Sequence, residues 1–260
     1  MVANLLGGTA EQPFYEAHIT VEMPDGRNER MFRDVCAALG IKAIHIELDA
    51  GKKPTHLITG SIHRGELSKV QTEVEKLARL LEGAGLRPTR HKIEAMIQNS
   101  LVPLTDEDAS RRPPSNYFEF HTKVTIHEKQ DTGTLQNLCH EFQAHLARSA
   151  SNKLDGGFTQ RFVTVRFHNE GRATAESTFA RLVEQLRENG YQPSHLLKEY
   201  VIVDTNLDLD AGWADSSVPD GCYTNCDKLE ANACPFQDGA SRKTSEPFVS
   251  LSEVTSSYGA

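Results

Sequence analysis

The feature that most constrains this chain is an internal repeat. The segment Phe14–His18 (FYEAH) matches Tyr117–His121 (YFEFH) at an offset of 103 residues. After a two-residue insertion the offset becomes 105, and Gly85-x-x-Pro88 then matches Gly190-x-x-Pro193. Further positions match in the same order: Phe32, Val35, Cys36 and Leu39 with Leu135, Leu138, Cys139 and Phe142; Thr59 and His63 with Thr164 and His168; Glu94 with Glu199. So many ordered matches predict a tandem duplication of one structural unit.

Each copy has the hydrophobic pattern of strand, helix, strand, strand, helix and strand. Phe32, Val35, Cys36 and Leu39 recur at i, i+3, i+4 and i+7, the apolar stripe of an amphipathic helix. The predicted helices are 28–39, 66–82, 132–145 and 173–188, and the predicted strands are 14–23, 41–48, 56–63, 90–98, 117–126, 146–153, 161–168 and 196–204. The order βαββαβ predicts an α+β protein of two ferredoxin-like units, each with one four-stranded antiparallel sheet and two helices on one face.

Composition divides the chain into two repeats, a linker and a tail. Residues 1–100 are predicted to form the first repeat, 101–115 a proline-rich linker and 116–210 the second repeat. Residues 211–260 are rich in Ser, Gly and Asn, lack the period of a strand or helix, and carry half of the net charge of −8. So little apolar surface predicts a flexible, disordered acidic tail, in which only Trp213 is expected to dock on the preceding domain.

Composition also narrows the set of partners. The chain has 260 residues and a net charge of −8, which disfavours general binding to nucleic acids or to anionic membranes. No apolar run reaches the roughly 18 residues of a membrane-spanning helix. Residues 1–12 lack the charged start and apolar centre of a signal peptide. These observations predict a cytoplasmic protein whose partner is a small-molecule ligand, with a protein partner as the alternative.

Alternation along the strands predicts a repeated set of polar side chains on one face of each sheet. The set comprises Glu16, His18, His63 and Glu94 in copy one and Glu119, His121, His168 and Glu199 in copy two. In the third strand, Ile58 and Ile62 are expected to face the helices and His63 the opposite side. One explanation is an ordinary solvated face. The other is that the two sheets face each other about a pseudo-twofold axis and enclose a shared cleft, where ligands tend to bind.

The residue types in this cleft suit acid–base chemistry on a small molecule. Histidine titrates near neutral pH, and a neighbouring carboxylate can orient its ring. The predicted catalytic residues are His18 and His121, with Glu16 and Glu119 as their orienting partners. The predicted substrate-binding residues are His63, His168, Arg148, Arg161 and Arg166, because imidazole and guanidinium groups suit phosphate or carboxylate. The leading hypothesis is an enzyme that hydrolyses a phosphorylated or carboxylated substrate.

A short motif also bears on phosphoester chemistry. His18-Ile19-Thr20 resembles one of the His-x-Thr motifs of two-histidine phosphoesterases. The resemblance covers three residues, and in copy two Lys123 stands where the motif has threonine. It implies a histidine and a hydroxyl on the same face of one strand.

Two other functions fit the same residues. His18, His121, Glu94 and Glu199 offer two imidazoles and two carboxylates, a ligand set for zinc, iron or manganese, so the alternative cofactor is a divalent metal. The ferredoxin-like fold is also widely used in non-catalytic ligand-binding and protein-interaction modules. The substrate, the cofactor and the oligomeric state are not defined by the sequence.

The five cysteines predict a reducing compartment rather than a secreted disulfide framework. Cys36 and Cys139 lie on apolar helix stripes and are expected to be buried thiols. Cys222, Cys226 and Cys234 lie in the polar tail, and three thiols make no complete zinc site.

Overall fold

In the part of the chain that the structure describes, eight strands and four of the five helices follow one another in the order that the hydrophobic pattern predicts. A computed structural model of the protein describes residues 12–23, 29–130 and 132–214. The strands are β1 (Phe14–Glu22), β2 (Lys42–Leu48), β3 (Thr55–Arg64), β4 (Arg87–Met96), β5 (Tyr117–His127), β6 (Ala144–Lys153), β7 (Phe158–His168) and β8 (Ser194–Asp204). The helices are α1 (Glu29–Ala38), α2 (Leu67–Gly83), α3 (Asp106–Ser110), α4 (Gly133–Glu141) and α5 (Arg172–Glu188). Each half has the order βαββαβ, and the protein is of the mixed α+β class.

Two details differ from the predicted elements. The region 101–115, predicted as a linker, contains α3, whose first turn is capped by reciprocal hydrogen bonds between Thr105 and Asp108. Helix α4 ends earlier than predicted, since Gln143 adopts a left-handed conformation with φ of 51° just beyond it. A residue in that region ends a helix because it turns the chain out of the helical path.

The two halves share one sheet. Its strand order is β1-β3-β2-β6-β7-β5-β8-β4, and it closes into a barrel with antiparallel neighbours. Strand β2 pairs with β6 at Ile46 and Ser149, and β4 pairs with β8 at Ala95 and Tyr200. The prediction of two separate four-stranded sheets was therefore wrong. Closure removes the exposed edges that two isolated sheets would have, whose backbone groups would otherwise lack partners.

The helices cover the outside of the barrel and bury two apolar cores. In the first core, Tyr15 and Ile19 of β1 pack with Phe32 of α1 and Leu81 of α2, as the alternation along β1 predicts. The second core contains the equivalent group Phe118, Phe120, Leu135, Phe179 and Leu182. Within the described ranges, no helix is long and apolar enough to cross a membrane.

The segment that follows β8 lies across one end of the barrel, which we call the closed end. Asn206 Nδ2 donates a hydrogen bond to the carbonyl of Thr89 in β4 (3.0 Å), and Trp213 Nε1 donates to the carbonyl of Leu146 in β6 (2.8 Å). Asp210, between these contacts, is buried. Because β4 and β6 lie on opposite sides of the barrel, the segment spans its end. The prediction that Trp213 docks is confirmed.

Cys36 and Cys139 are free, buried thiols, as predicted. Burial raises the pKa of Cys36 to about 11 and, with the added charge of Asp49, the pKa of Cys139 to about 12. The predicted disordered tail beyond residue 214, with Cys222, Cys226 and Cys234, lies outside the described residues.

Candidate functional site

Polar side chains from both halves line the inside of the barrel. Residues directly opposite each other on antiparallel strands share a face, so the strand register identifies the inward-pointing side chains. The inward pairs are Glu16 with Glu94, His18 with Lys92, Thr20 with Arg90, Glu119 with Arg166, Glu119 with Glu199, and Tyr117 with His168. The structure thus brings His18, Glu16 and Glu94 of the first half into one interior with Glu119, Arg166 and Glu199 of the second.

Lys92 joins the two halves inside the barrel. Its Nζ lies 2.8 Å from Glu94 Oε1 and 2.7 Å from Glu119 Oε1. The other oxygen of Glu119 accepts a hydrogen bond from Nε of Arg166 (2.7 Å). Burial would raise the pKa of Glu119, but these two cations hold it well below its usual range. Glu119 therefore binds Lys92 and Arg166, and its interaction with His121, for which it was predicted as the orienting partner, is electrostatic.

A second ion network fills the interior near the closed end. Asp210 Oδ2 accepts hydrogen bonds from Arg90 Nη1 (2.8 Å) and Arg166 Nη2 (2.7 Å). Arg90 also pairs with Asp204, and the hydroxyl of Tyr117 donates to the same carboxylate (2.8 Å). The sequence reasoning missed this network. Alternation along β4, extended by two residues from Lys92, would have found Arg90. No periodicity marks Asp210, because it lies in a 3-10 helix of only four residues, Leu207–Asp210.

His18 is held at both ring nitrogens. Nδ1 donates a hydrogen bond to the carbonyl of Thr59 (2.9 Å), while Nε2 lies 3.0 Å from Glu94 Oε2 and 3.6 Å from Glu16 Oε1. Burial lowers the pKa of His18, but the charges of Glu94 and Glu16 outweigh it and raise the pKa above its ordinary value. A ring with acceptors at both nitrogens is stabilised as the imidazolium. Its principal carboxylate partner is Glu94, whereas the predicted partner, Glu16, is more distant.

Glu94 and Glu199 are two buried carboxyls with opposite protonation. Burial raises the pKa of Glu94, but Lys92 and His18 outweigh it and lower the value to about 2, so Glu94 is ionised. Burial and the nearby charges of Glu94 and Glu16 raise the pKa of Glu199 well above its ordinary value, which favours its protonated, neutral form. Glu199 is 2% exposed, and its Oε1 has no hydrogen-bond partner among the described residues. A buried carboxyl without a partner is rare unless a ligand or water completes it.

His121 stands apart from this network. Its ring meets the edge of Phe162 at a centroid distance of 6.2 Å, and the side chain is only partly buried. Burial lowers the pKa of His121, and the positive charges of Lys92 and His18 lower it further. The negative charges of Glu119 and Glu94 would raise this pKa, but they are outweighed. His121 is therefore a neutral imidazole in electrostatic contact with the His18 imidazolium. Environment shifts the pKa values of His18 and His121, the two histidines that the predicted repeat aligns, in opposite directions.

His63 faces the helices, so its predicted position in the shared cleft was wrong. It lies opposite Tyr15 of the first apolar core, and its Nδ1 is 2.8 Å from Glu73 Oε2 on α2. The neighbouring Ile58 and Ile62, predicted to face the helices, consequently point into the barrel. The two faces of β3 were exchanged in the prediction.

The cause is a displacement of one residue in the repeat match. Tyr15 is opposite His63, while its counterpart Phe118 is opposite Phe167 rather than His168. A shift of one residue moves a strand side chain to the other face of its sheet. His168 does face the interior, where its ring lies 4.9 Å from that of Tyr117, and burial with the charge of Arg166 lowers its pKa to about 4.

Arg148 and Arg161 lie on the outside of the barrel, so their predicted place in the cleft was also wrong. Arg148 pairs with Glu47, and Nη1 of Arg161 is 2.6 Å from Asp49 Oδ1. Glu47 shares its face with His45, whose ring contacts a carboxylate of α1. Arg166, the third predicted arginine, does face the interior, opposite Glu119.

The two-histidine, two-glutamate metal site is not assembled. Over residues 12–23, 29–130 and 132–214, no group of three or more His, Cys, Asp or Glu side chains is placed to hold a metal ion. The Lys92 ammonium instead lies between Glu94 and Glu119 and supplies the local positive charge.

Part of the interior is apolar. Ile44 and Ile58 are directly opposite each other on β2 and β3, and a side chain on neighbouring Gly60 would meet Ile44 and Glu16. Phe162 of β7 is opposite Lys123 on the same inward face. Ile44, Ile46, Ile58, Ile62 and Phe162 are all partly exposed and belong to neither apolar core. The interior therefore presents an apolar wall facing a polar one, an arrangement typical of ligand sites.

Comparisons with known proteins concern the fold only. No protein-family model and no curated protein matches the chain. Solved structures match over 74% of it: chlorite dismutase from Candidatus Nitrospira defluvii in complex with imidazole (14% identity, 92% of that chain, TM-score 0.25), the acetolactate synthase small subunit from Thermotoga maritima (13%, 96%, 0.27) and a heme-binding protein from Thermus thermophilus (12%, 91%, 0.25). At these values no ligand or residue role is carried over.

Proposed function

We propose that the barrel interior binds a small organic molecule and transfers protons to and from it, with Glu199 as the acid and His121 as the base. The observation that carries this proposal is the neutral carboxyl of Glu199, buried without a hydrogen-bond partner for Oε1. It shares the interior with the ionised Glu94. Titratable groups whose pKa values are driven apart by their surroundings are typical of acid–base sites.

The strand register supports a joint action of these two groups. Glu119 is opposite Glu199 and His121 is opposite Leu197, so His121 and Glu199 are diagonal neighbours on adjacent strands. The Cα atoms of such neighbours are about 7–8 Å apart, so both side chains can reach the same small molecule in the interior. A ring nitrogen of His121 would accept a proton from the substrate while the Glu199 hydroxyl donates its proton to a substrate oxygen. The step yields imidazolium and carboxylate, and the reverse transfers restore both groups.

His18 has a positioning role in this proposal. The Nδ1–H group of His18 points to the carbonyl of Thr59 and the Nε2–H group to Glu94, so neither N–H group is directed at a ligand. The imidazolium keeps Glu94 ionised, and the negative charge of Glu94 in turn keeps Glu199 neutral. The interior gives less support to phosphoester hydrolysis, since Arg90, Lys92 and Arg166 are each bound by two carboxylates.

Hydrogen exchange into a bound compound tests the proposal. A panel of small aldehydes, ketones and esters is screened by thermal shift, and the stabilising compounds are incubated with protein in D2O and followed by NMR. We expect wild-type protein to introduce deuterium next to the carbonyl, and Glu199→Gln and His121→Phe to do so much more slowly. Glu75→Gln on the outside of α2 is the control. No stabilising compound, or binding without exchange, contradicts proton transfer, and binding without exchange favours a non-catalytic ligand-binding module.

We also propose that residues 1–100 and 116–210 descend from one duplicated unit that folds as an intramolecular pseudo-dimer. The shared order βαββαβ supports this, as does the inward position of both His18 and His121. Divergence of the copies would then have separated the pKa values of the two histidines.

A further inference from the structure

We infer that the molecule bound in the barrel is an organic acid with an apolar body, whose carboxylate is held by Lys42 and Lys123. This inference rests on the proposed function, because it names the class of molecule that the same interior would bind.

The two lysines lie at the same end of the barrel. Strand β8 ends at the closed end, where Asp204 meets Arg90. Through the antiparallel pairs, β2 runs in the same direction as β8 and β5 in the opposite one. Lys42 at the start of β2 and Lys123 late in β5 are therefore at the other end, which we call the lysine end. The strands β2 and β5 are three places apart in the eight-stranded order, so the lysines face each other across the interior.

Both side chains belong to the inward face. Lys42 is opposite Gly60, where an added side chain would meet Ile44 and Glu16 of the interior, and Lys123 is opposite Phe162. The Lys123 ammonium lies 5.5 Å from the centre of the Phe162 ring. Lys42 is exposed and Lys123 is half-buried.

Lys42 and Lys123 are inward-facing cations without a carboxylate partner in the described part of the chain. Arg90, Lys92 and Arg166 are all paired with carboxylates, whereas no ion pair joins Lys42 or Lys123 to a described acid. Burial and the charge of Lys42 lower the pKa of Lys123, so an anion between the two ammonium groups would relieve an existing repulsion.

The surface between the lysine end and Glu199 suits an apolar body. Ile44, Ile58 and Phe162 line it and are partly exposed. A molecule with its carboxylate between the lysines would lay its hydrocarbon part on this wall and direct its other end toward His121 and Glu199. Burial of the hydrocarbon part against this wall would stabilise the complex, because it removes apolar surface from water.

The interior charge favours one negative charge over two. Lys42 and Lys123 apart, the carboxylates Glu16, Glu94, Glu119, Asp204 and Asp210 outnumber the cations His18, Arg90, Lys92 and Arg166 by one. The two lysines change this to one excess positive charge, which a single carboxylate neutralises. A phosphate monoester dianion would meet more repulsion than a carboxylate. Two separate ammonium groups are also point charges rather than the planar fork that binds phosphate in two-point contacts.

Calorimetric titration of the full chain tests the inference, with octanoate as the probe and octanol and octyl phosphate as comparisons. The variants are Lys42→Met and Lys123→Met, which keep the apolar stem, and Lys76→Met on the outer surface of α2 is the control. We expect octanoate to bind more tightly than both comparison compounds and to be weakened about threefold to tenfold by each inward variant. Octanol affinity should be unchanged by all three variants, and Lys76→Met should leave octanoate affinity unchanged.

Three results overturn the inference: no binding of octanoate, equal octanoate affinity in wild-type protein and both lysine variants, or tighter binding of octyl phosphate. The deuterium exchange assay separates this failure from failure of the proposed function. If deuterium exchange occurs but octanoate affinity does not depend on Lys42 and Lys123, only the assignment of the ligand as a carboxylate is refuted. Octanoate binding that depends on both lysines, in a protein that exchanges no deuterium, refutes only proton transfer.

Discussion

Replacement of Glu199 by glutamine is expected to stabilise the protein at neutral pH. Glutamine has nearly the shape of a protonated glutamic acid and cannot ionise. In the folded barrel, burial and the charges of Glu94 and Glu16 keep Glu199 neutral, whereas in the unfolded chain it ionises at its ordinary pKa. A carboxyl whose pKa is raised by folding costs stability as pH rises above the unfolded pKa. The Glu199→Gln variant escapes that cost.

The magnitude follows from the linkage between proton binding and folding. For each pH unit in which Glu199 is neutral when folded and ionised when unfolded, the free energy of unfolding falls by about 1.4 kcal/mol. The cost accumulates over the pH range between the unfolded pKa and the raised folded pKa, and a single pH unit of it is already a sizeable part of the usual total stability of about 5–15 kcal/mol. Near pH 4 the residue is largely protonated in both states, so the variant and wild-type protein should have nearly equal stability.

Urea unfolding followed by circular dichroism at a series of pH values measures this difference. We expect the stability advantage of Glu199→Gln to grow from pH 4 to pH 7. Glu82→Gln, on the exposed side of α2, is the control and should show no such growth. An advantage that is the same at every pH, or a variant that becomes relatively less stable toward neutral pH, would refute the assignment of Glu199 as a neutral acid.

Three further results are expected. Lys92→Met leaves two buried carboxylates without their shared cation and should lower the free energy of unfolding by about 3–5 kcal/mol at pH 7 in urea, whereas Lys76→Met should change it little. In NMR titrations His18 should lose its proton above pH 6.5 and His121 below it, and a reversed order would contradict the assigned contacts. Trp213→Phe removes a hydrogen bond to a β6 carbonyl and should cost about 1 kcal/mol in thermal or urea unfolding, with no loss if the end segment is not docked.

Alternation along single strands predicted part of the site. In β1 and β5 the polar residues are strictly interleaved with core residues, so Glu16, His18, Glu119 and His121 were assigned to the correct face. Strand β3 lacks this contrast, because the barrel interior is partly apolar and Ile58 faces inward. A rule that assigns apolar residues to the helix side fails in a strand that is apolar toward both sides.

The amino-acid sequence by itself determined the order and type of the elements apart from α3, the two apolar cores and the inward position of His18 and His121. These properties depend on local periodicity, which a strand or helix expresses without reference to distant residues. Only the tertiary structure decided that the sheets close into one barrel, that Lys92 links Glu94 to Glu119, and that Glu199 is left neutral and unpartnered. Strand pairing between the halves and the charge balance of a buried interior depend on contacts among residues far apart in the chain, and a side chain's protonation follows from that assembled environment.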